Sequence, residues 1–198
     1  ASVVRTMIGV KDEMLYNERS LYLVPGTRTL VNLLRGDRPK YLTAAVCILP
    51  VPPQGIAVDE TAASCRPGVG DVFYNLVEMS GGAGPGPRTC NWTAPVIVSI
   101  PDSGSRTSAA TVPADAGGGI YLVGNQISKG RDPVTLAIAR DGLTFDQHWA
   151  VRAGAPPVRY PGHAKGPGFQ YPAALIHDGE MLVSYSVGKE DIALTRFP

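Results

Sequence analysis

Apolar residues along the chain fall in short runs broken by Gly, Pro and Asp, and sustained helical spacing is scarce. The first group of strand-like runs is 20–24, 29–34 and 41–46, with Pro25-Gly26 and Gly36-Asp37-Arg38-Pro39 as its turns, and a run at 94–100 follows after a long interruption. A second group is expected at 107–112, 120–124, 134–139 and 148–152, turning at 115–119, 128–133 and Asp141-Gly142. The third is 171–176, 181–186 and 191–196, with turns at His177-Asp178-Gly179-Glu180 and Gly188-Lys189-Glu190.

Each group repeats one rhythm. An apolar strand leads through a Gly-containing turn to an aliphatic strand such as Ile120-Tyr121-Leu122-Val123, and a more alternating strand follows. Three or four strands in roughly 40–50 residues is the spacing of propeller blades. An antiparallel sandwich has similar strands and turns, so periodicity alone leaves both architectures open. Residues 48–89 break the rhythm with Pro52-Pro53, Gly81-Gly82 and Pro85-Gly86-Pro87, and read as a long surface insertion. The chain is thus expected to be all-β over 1–198: about three antiparallel blades of an incomplete propeller, interrupted at 48–89.

Composition narrows the function classes. With 23 Gly and 18 Pro the chain is ill suited to helices and rich in turns. Eighteen Lys and Arg against 17 Asp and Glu leave a net charge of +1, which gives no electrostatic case for nucleic acid or an anionic membrane. No apolar run approaches the roughly 20 residues of a membrane span. The chain starts at Ala1 with neither Met nor a signal-peptide pattern, so a processed form or a piece of a longer protein is expected. Cys47, Cys65 and Cys90 are an odd set, so at least one is unpaired within the chain. A Cys47–Cys90 bridge would close the insertion, but spacing does not establish it. The compartment stays open, with a secreted or extracytoplasmic location favoured. No metal-ligand spacing and no phosphate-binding glycine motif is present, and no cofactor is expected.

Ala139-Arg140-Asp141-Gly142-Leu143-Thr144-Phe145 resembles a shortened Asp-box, the Ser-x-Asp-x-Gly-x-Thr-Trp turn of bacterial neuraminidase repeats. In that pattern the Asp accepts backbone N–H bonds, the Gly takes positive φ, and the aromatic packs into the blade. Arg88-Thr89-Cys90-Asn91-Trp92-Thr93-Ala94-Pro95 resembles the end of a second, broken copy. Order along the chain strengthens the likeness to the sialidase propeller superfamily. Asn17-Glu18-Arg19 with Leu33-Leu34-Arg35, then Gly130-Arg131-Asp132-Pro133, then Phe169-Gln170-Tyr171-Pro172 with Leu182-Val183-Ser184-Tyr185, follow the family's sequence of site segments. The resemblance covers 14–47 and 88–198. It also implies that further blades, carrying a first arginine and an acid/base Asp, would precede Ala1.

The resemblance implies an exo-glycoside hydrolase acting on a terminal acidic sugar. Arg35 and Arg131 are the candidates for holding the substrate carboxylate, since a guanidinium makes two parallel charged hydrogen bonds to one; each could also be a solvated turn arginine. Tyr171 is the candidate nucleophile, with Glu18 as the base that takes its proton. An aromatic packed at a strand start is the alternative for Tyr171, and an exposed charge paired with Arg19 the alternative for Glu18. His163 and Lys165, in the Gly/Pro-rich run before Tyr171, are candidate substrate contacts or solvated loop residues. The expected partner is a glycan, with a further chain segment or oligomer completing the propeller. Two other readings stay open: a non-catalytic carbohydrate-binding or interaction propeller, and a related propeller hydrolase or lyase for a uronic-acid polysaccharide.

Overall fold

The computed structural model describes residues 16–36, 41–49, 92–93 and 96–198. Among these residues are three antiparallel sheets, each a simple meander. The first contains β1 (Tyr16–Leu23), β2 (Thr29–Gly36), β3 (Tyr41–Ile48) and β4 (Val96–Pro101). The second contains β5 (Ser108–Thr111), β6 (Ile120–Gly124), β7 (Val134–Ala139) and β8 (Gln147–Arg152). The third contains β9 (Phe169–His177), β10 (Glu180–Val187) and β11 (Asp191–Phe197). One short 3₁₀ turn, Ala114–Ala116, is the helical element among the described residues. Strands β6 and β7 have the expected bounds. Strand β9 begins two residues earlier than the run at 171–176, and the third sheet has three strands where blades of four were expected. The insertion from residue 50 onward, and most of the broken repeat at 88–95, lie outside the described residues.

The middle sheet explains the stacking. Side chains on a strand alternate between faces, so a strand covered on both faces must be apolar throughout. In β6, Ile120 and Leu122 join a core with Tyr22, Val31, Leu33, Leu42 and Ala44 of the first sheet. Tyr121 and Val123 join a second core with Phe169, Val183 and Tyr185 of the third. Burying each such side chain contributes roughly 1.5–3 kcal/mol. The unbroken run Ile120-Tyr121-Leu122-Val123 is therefore the signature of a sheet held between two others.

The first strand of each sheet lies innermost. Strand β1 packs beside β5, and both β5 and β6 pack beside β9. Polar bonds tie this seam: Ser20 Oγ donates to the Thr107 carbonyl at 2.9 Å, the Ala174 N–H to Ser108 Oγ at 3.3 Å, and the Tyr121 hydroxyl to the Ala174 carbonyl at 2.6 Å. The outer face of the third sheet is open, with Leu175 52%, Leu194 64% and Ile192 87% exposed.

Strand register gives every sheet two distinct ends. Tyr16 pairs with Gly36, Ser108 with Val123, and Phe169 with Val187, so one end of each sheet carries the start of its inner strand. The opposite end carries compact turns. At one of them Asp141 accepts the N–H groups of Leu143 (2.8 Å) and Thr144 (2.7 Å), Gly142 has φ +75°, and Phe145 packs on the first core. Those bonds hold the Asp141 carboxyl below its ordinary pKa, the Thr144 N–H contributing most. Cys47, fully buried in β3, is disulfide-bonded, and its partner lies outside the described residues.

Candidate functional site

The entrance end of the inner strands brings together residues far apart in sequence. Arg35 is the penultimate residue of β2, and Arg131 lies in the β6–β7 connection. Both reach the loop 102–105 that feeds β5. Arg131 donates from Nη1 to Ser105 Oγ (3.1 Å) and from Nη2 to the Gly104 carbonyl (3.0 Å). Arg35 packs on the same loop: its Nε and Nη2 lie within van der Waals distance, 3.7 Å, of where a Cβ on Gly104 would be, and Gly104 itself is required by its φ of +74°.

Asp102 builds this loop. Its Oδ1 accepts the Gly104 N–H at 3.0 Å and the Ser105 N–H at 3.4 Å, an Asx turn closed by its own backbone. The residue is buried, at 2% exposure. Burial pushes its carboxyl pKa up, while the two N–H groups and the charges of Arg35 and Arg131 pull it back. The loop that one buried carboxyl shapes thus meets both guanidinium groups. Sequence reasoning missed Asp102 because Pro101-Asp102-Ser103-Gly104-Ser105 reads as an ordinary turn; the Asp with Gly two residues on was the available signal.

Arg131 also joins the second sheet to the third. Its carbonyl accepts the Phe169 N–H at 2.6 Å. Gly168, at φ +119°, lies so close that a side chain there would collide with Arg131. Asp132 accepts the N–H groups of Gly154 and Ala155, tying down the start of the long strap between β8 and β9.

Tyr171 stands two residues beyond Phe169. It is 42% exposed, unlike an aromatic packed at a strand start. Its φ is +54°, exceptional for a bulky residue, and the β9–β10 register shifts between Ser184 and Ser186 at this point. A bulge of this kind turns a side chain out of the strand's alternation. Lys189, with φ +58°, holds its ammonium 5.5 Å from the Tyr171 ring centroid. Sequence reasoning noted Lys189 only as a turn residue.

The remaining candidates differ. Glu18 lies in β1 near the entrance end, and its side chain is outside the described residues. His163 is exposed on the strap. Lys165 is ion-paired to Glu190 at 3.1 Å. Glu190 is the strap's anchor: its carboxylate accepts the Arg159 N–H (3.0 Å), the Tyr160 N–H (2.8 Å) and Arg159 Nε (3.3 Å). These bonds, led by the Arg159 backbone N–H, lower its pKa to about 2 against opposing desolvation. Among the described residues no cluster of His, Cys, Asp or Glu could hold a metal ion.

Stacked antiparallel meanders of three or four strands, packed side by side through their first strands, define the propeller-blade class, and similarity to a solved structure places the fold more narrowly. The chain superposes on the crystal structure of the intramolecular trans-sialidase from Ruminococcus gnavus in complex with oseltamivir carboxylate, with a TM-score of 0.52 and 14% identity over 90% of this chain. A NanB sialidase from Streptococcus pneumoniae, the K499G mutant, matches with a TM-score of 0.47 and 9% identity over 89% of this chain. The chain spans 32% of the trans-sialidase and 21% of the NanB sialidase. No protein-family model and no curated protein matches the chain. The fold is sialidase-like, all-β and built of antiparallel propeller-type sheets.

Proposed function

We propose that this chain is the catalytic-site-bearing part of a sialidase-like exo-glycoside hydrolase that removes a terminal acidic sugar from a glycan. One observation carries the reading. Arg35 and Arg131 flank the same Asp102-built loop, and Arg131 is hydrogen-bonded to the strand that turns Tyr171 outward. Two guanidinium groups at one end of adjacent inner strands suit a substrate carboxylate. A phenol at the same end of the sheets suits attack on the anomeric carbon next to that carboxylate, because a neutral nucleophile brings no second anion toward it.

In this reading the Tyr171 Oη–carbon bond forms as the glycosidic C–O bond breaks, and Glu18 takes the phenol proton. The leaving oxygen takes a proton from an acid supplied by the rest of the propeller. Water then cleaves the tyrosyl–sugar bond. The bare face carrying Leu175, Ile192 and Leu194 is read as the seat of a further blade, from more polypeptide or a second copy.

The test is turnover of a fluorogenic sialoside by the protein that carries this chain. Tyr171→Phe should lower kcat by roughly a thousandfold or more, the scale of losing a nucleophile. Full activity in that variant defeats the assignment. Glycan binding with no turnover in the unmutated protein would favour a binding module instead, and turnover confined to uronic-acid polysaccharides would redirect the substrate.

A further inference from the structure

Three residues at the entrance end adopt a backbone conformation that their side chains disfavour, and Lys189 contacts the other two, Tyr171 and Ala164 (φ +56°). Tyr171 has φ +54° and Lys189 φ +58°, from opposite edges of the β9–β10 pair. Left-handed positions ordinarily fall to Gly, Asn or Asp; the tight turn closed by the Glu190 N–H on the Val187 carbonyl at 2.9 Å demands one of Lys189, and the β9–β10 register shift accompanies the one at Tyr171. The Lys189 ammonium lies 5.5 Å from the Tyr171 ring centroid and donates to the Ala164 carbonyl at 2.7 Å. Ala164 belongs to the strap, which Glu190 clamps through Arg159, Tyr160 and Lys165. The cation is therefore fixed from one side by the strap and faces the ring on the other.

We propose that Lys189 is a positioning residue for Tyr171. Its ammonium, held by Ala164, keeps the exposed ring in one orientation toward the two-arginine end of the site. The catalytic consequence rests on Tyr171 being the nucleophile; the positioning itself does not.

The experiment has two arms. In the protein labelled with 3-fluorotyrosine, the Tyr171 resonance is assigned by its loss in Tyr171→Phe. Lys189→Met keeps the length and removes the charge, and it should convert that resonance from one resolved ring environment to a motionally averaged signal. Lys189→Arg should keep the resolved environment. Lys189→Gly, which also relieves the backbone, should average the signal while the fold stays intact, separating ring order from stability. In the activity arm, Lys189→Met should lower kcat on a fluorogenic sialoside about tenfold with KM within about twofold, and Lys189→Arg should recover most of it. An unchanged ring signal in Lys189→Met overturns the proposal whatever the activity does. An averaged signal in a protein whose Tyr171→Phe variant stays fully active upholds the positioning and defeats only the nucleophile assignment.

Discussion

The third sheet turns twice, and the two turns use similar backbone with different residues. Strand β9 passes into β10 through Asp178 (φ +50°) and Gly179 (φ +78°), with His177 paired to Glu180 across the gap. Strand β10 passes into β11 through Gly188 (φ +61°) and Lys189 (φ +58°) at the other end. Asp-Gly is the pairing this left-handed hairpin favours, and nothing but the turn needs explaining there. A lysine in the same conformation costs about 1–2 kcal/mol, and its side chain reaches an exposed tyrosine. Turns that obey local preference form the scaffold end of the sheets. The end that breaks it carries Arg35, Arg131, Tyr171 and Lys189.

The comparison is tested most severely by packing. Phe169 is 2% exposed and meets Tyr185 edge-to-face at 5.4 Å, directly beneath the strained Tyr171. Phe169→Ala should cost about 3–5 kcal/mol in urea or thermal unfolding. Phe197, at the scaffold end of the same sheet and only partly buried, should lose clearly less on truncation to Ala. Equal losses would show that Phe169 at the entrance end is packed no more tightly than Phe197.

The sheets were legible because burial on two faces and turn chemistry are both written locally. Ile120-Tyr121-Leu122-Val123 and Asp141-Gly142 each announce themselves within a few residues, and β6 and β7 have the bounds expected of them. Strand β9 was misjudged at its start because Tyr171-Pro172 interrupts the alternation. The buried pair Phe169 and Gln170 therefore looked like loop when it is strand. The site was legible only as residue types in order. That Arg35 and Arg131 share one loop is a tertiary fact, and Asp102 shapes that loop from a segment whose local pattern is that of any Asx turn. Lys189 escaped because backbone strain leaves no mark on hydropathy. Lys165 is a candidate contact for its place in the loop before Tyr171, and its ammonium meets Glu190, which the sequence shows only as a turn acid.

Acid separates the two ends next. The Glu190 pKa falls from an ordinary 4.5 to about 2 in the folded protein. A carboxyl depressed on folding contributes stability that is fully present above its unfolded pKa and is lost as pH drops through the folded one. Strap docking should therefore hold above about pH 4.5 and weaken progressively toward pH 2. Protection factors of amides 153–168, taken against the intrinsic exchange rate at each pH, should fall over that window, and Glu190→Gln should show lower protection already at neutral pH. The Asp178-Gly179 hairpin should show no corresponding change tied to Glu190. A uniform loss of protection at both ends would mean that acid acts on the whole fold and not through this carboxylate.

The smallest effect is the most discriminating, because it has opposite signs for function and stability. Lys189→Gly removes a left-handed penalty of about 1–2 kcal/mol and adds a glycine entropy cost of about 0.5–1 kcal/mol. The net expectation is a gain of roughly 0.5 kcal/mol in unfolding free energy. Asp178→Gly has less to relieve, since Asp tolerates this conformation, and should stay within about 0.5 kcal/mol of zero or fall slightly below it. The two variants make the same replacement at matched φ in one sheet, so the difference between them isolates what Lys189 gives up to sit over Tyr171. If denaturant midpoints shift equally for both, the lysine is no more strained than the aspartate. The contrast between the two ends would then rest on the arginines and Tyr171 alone.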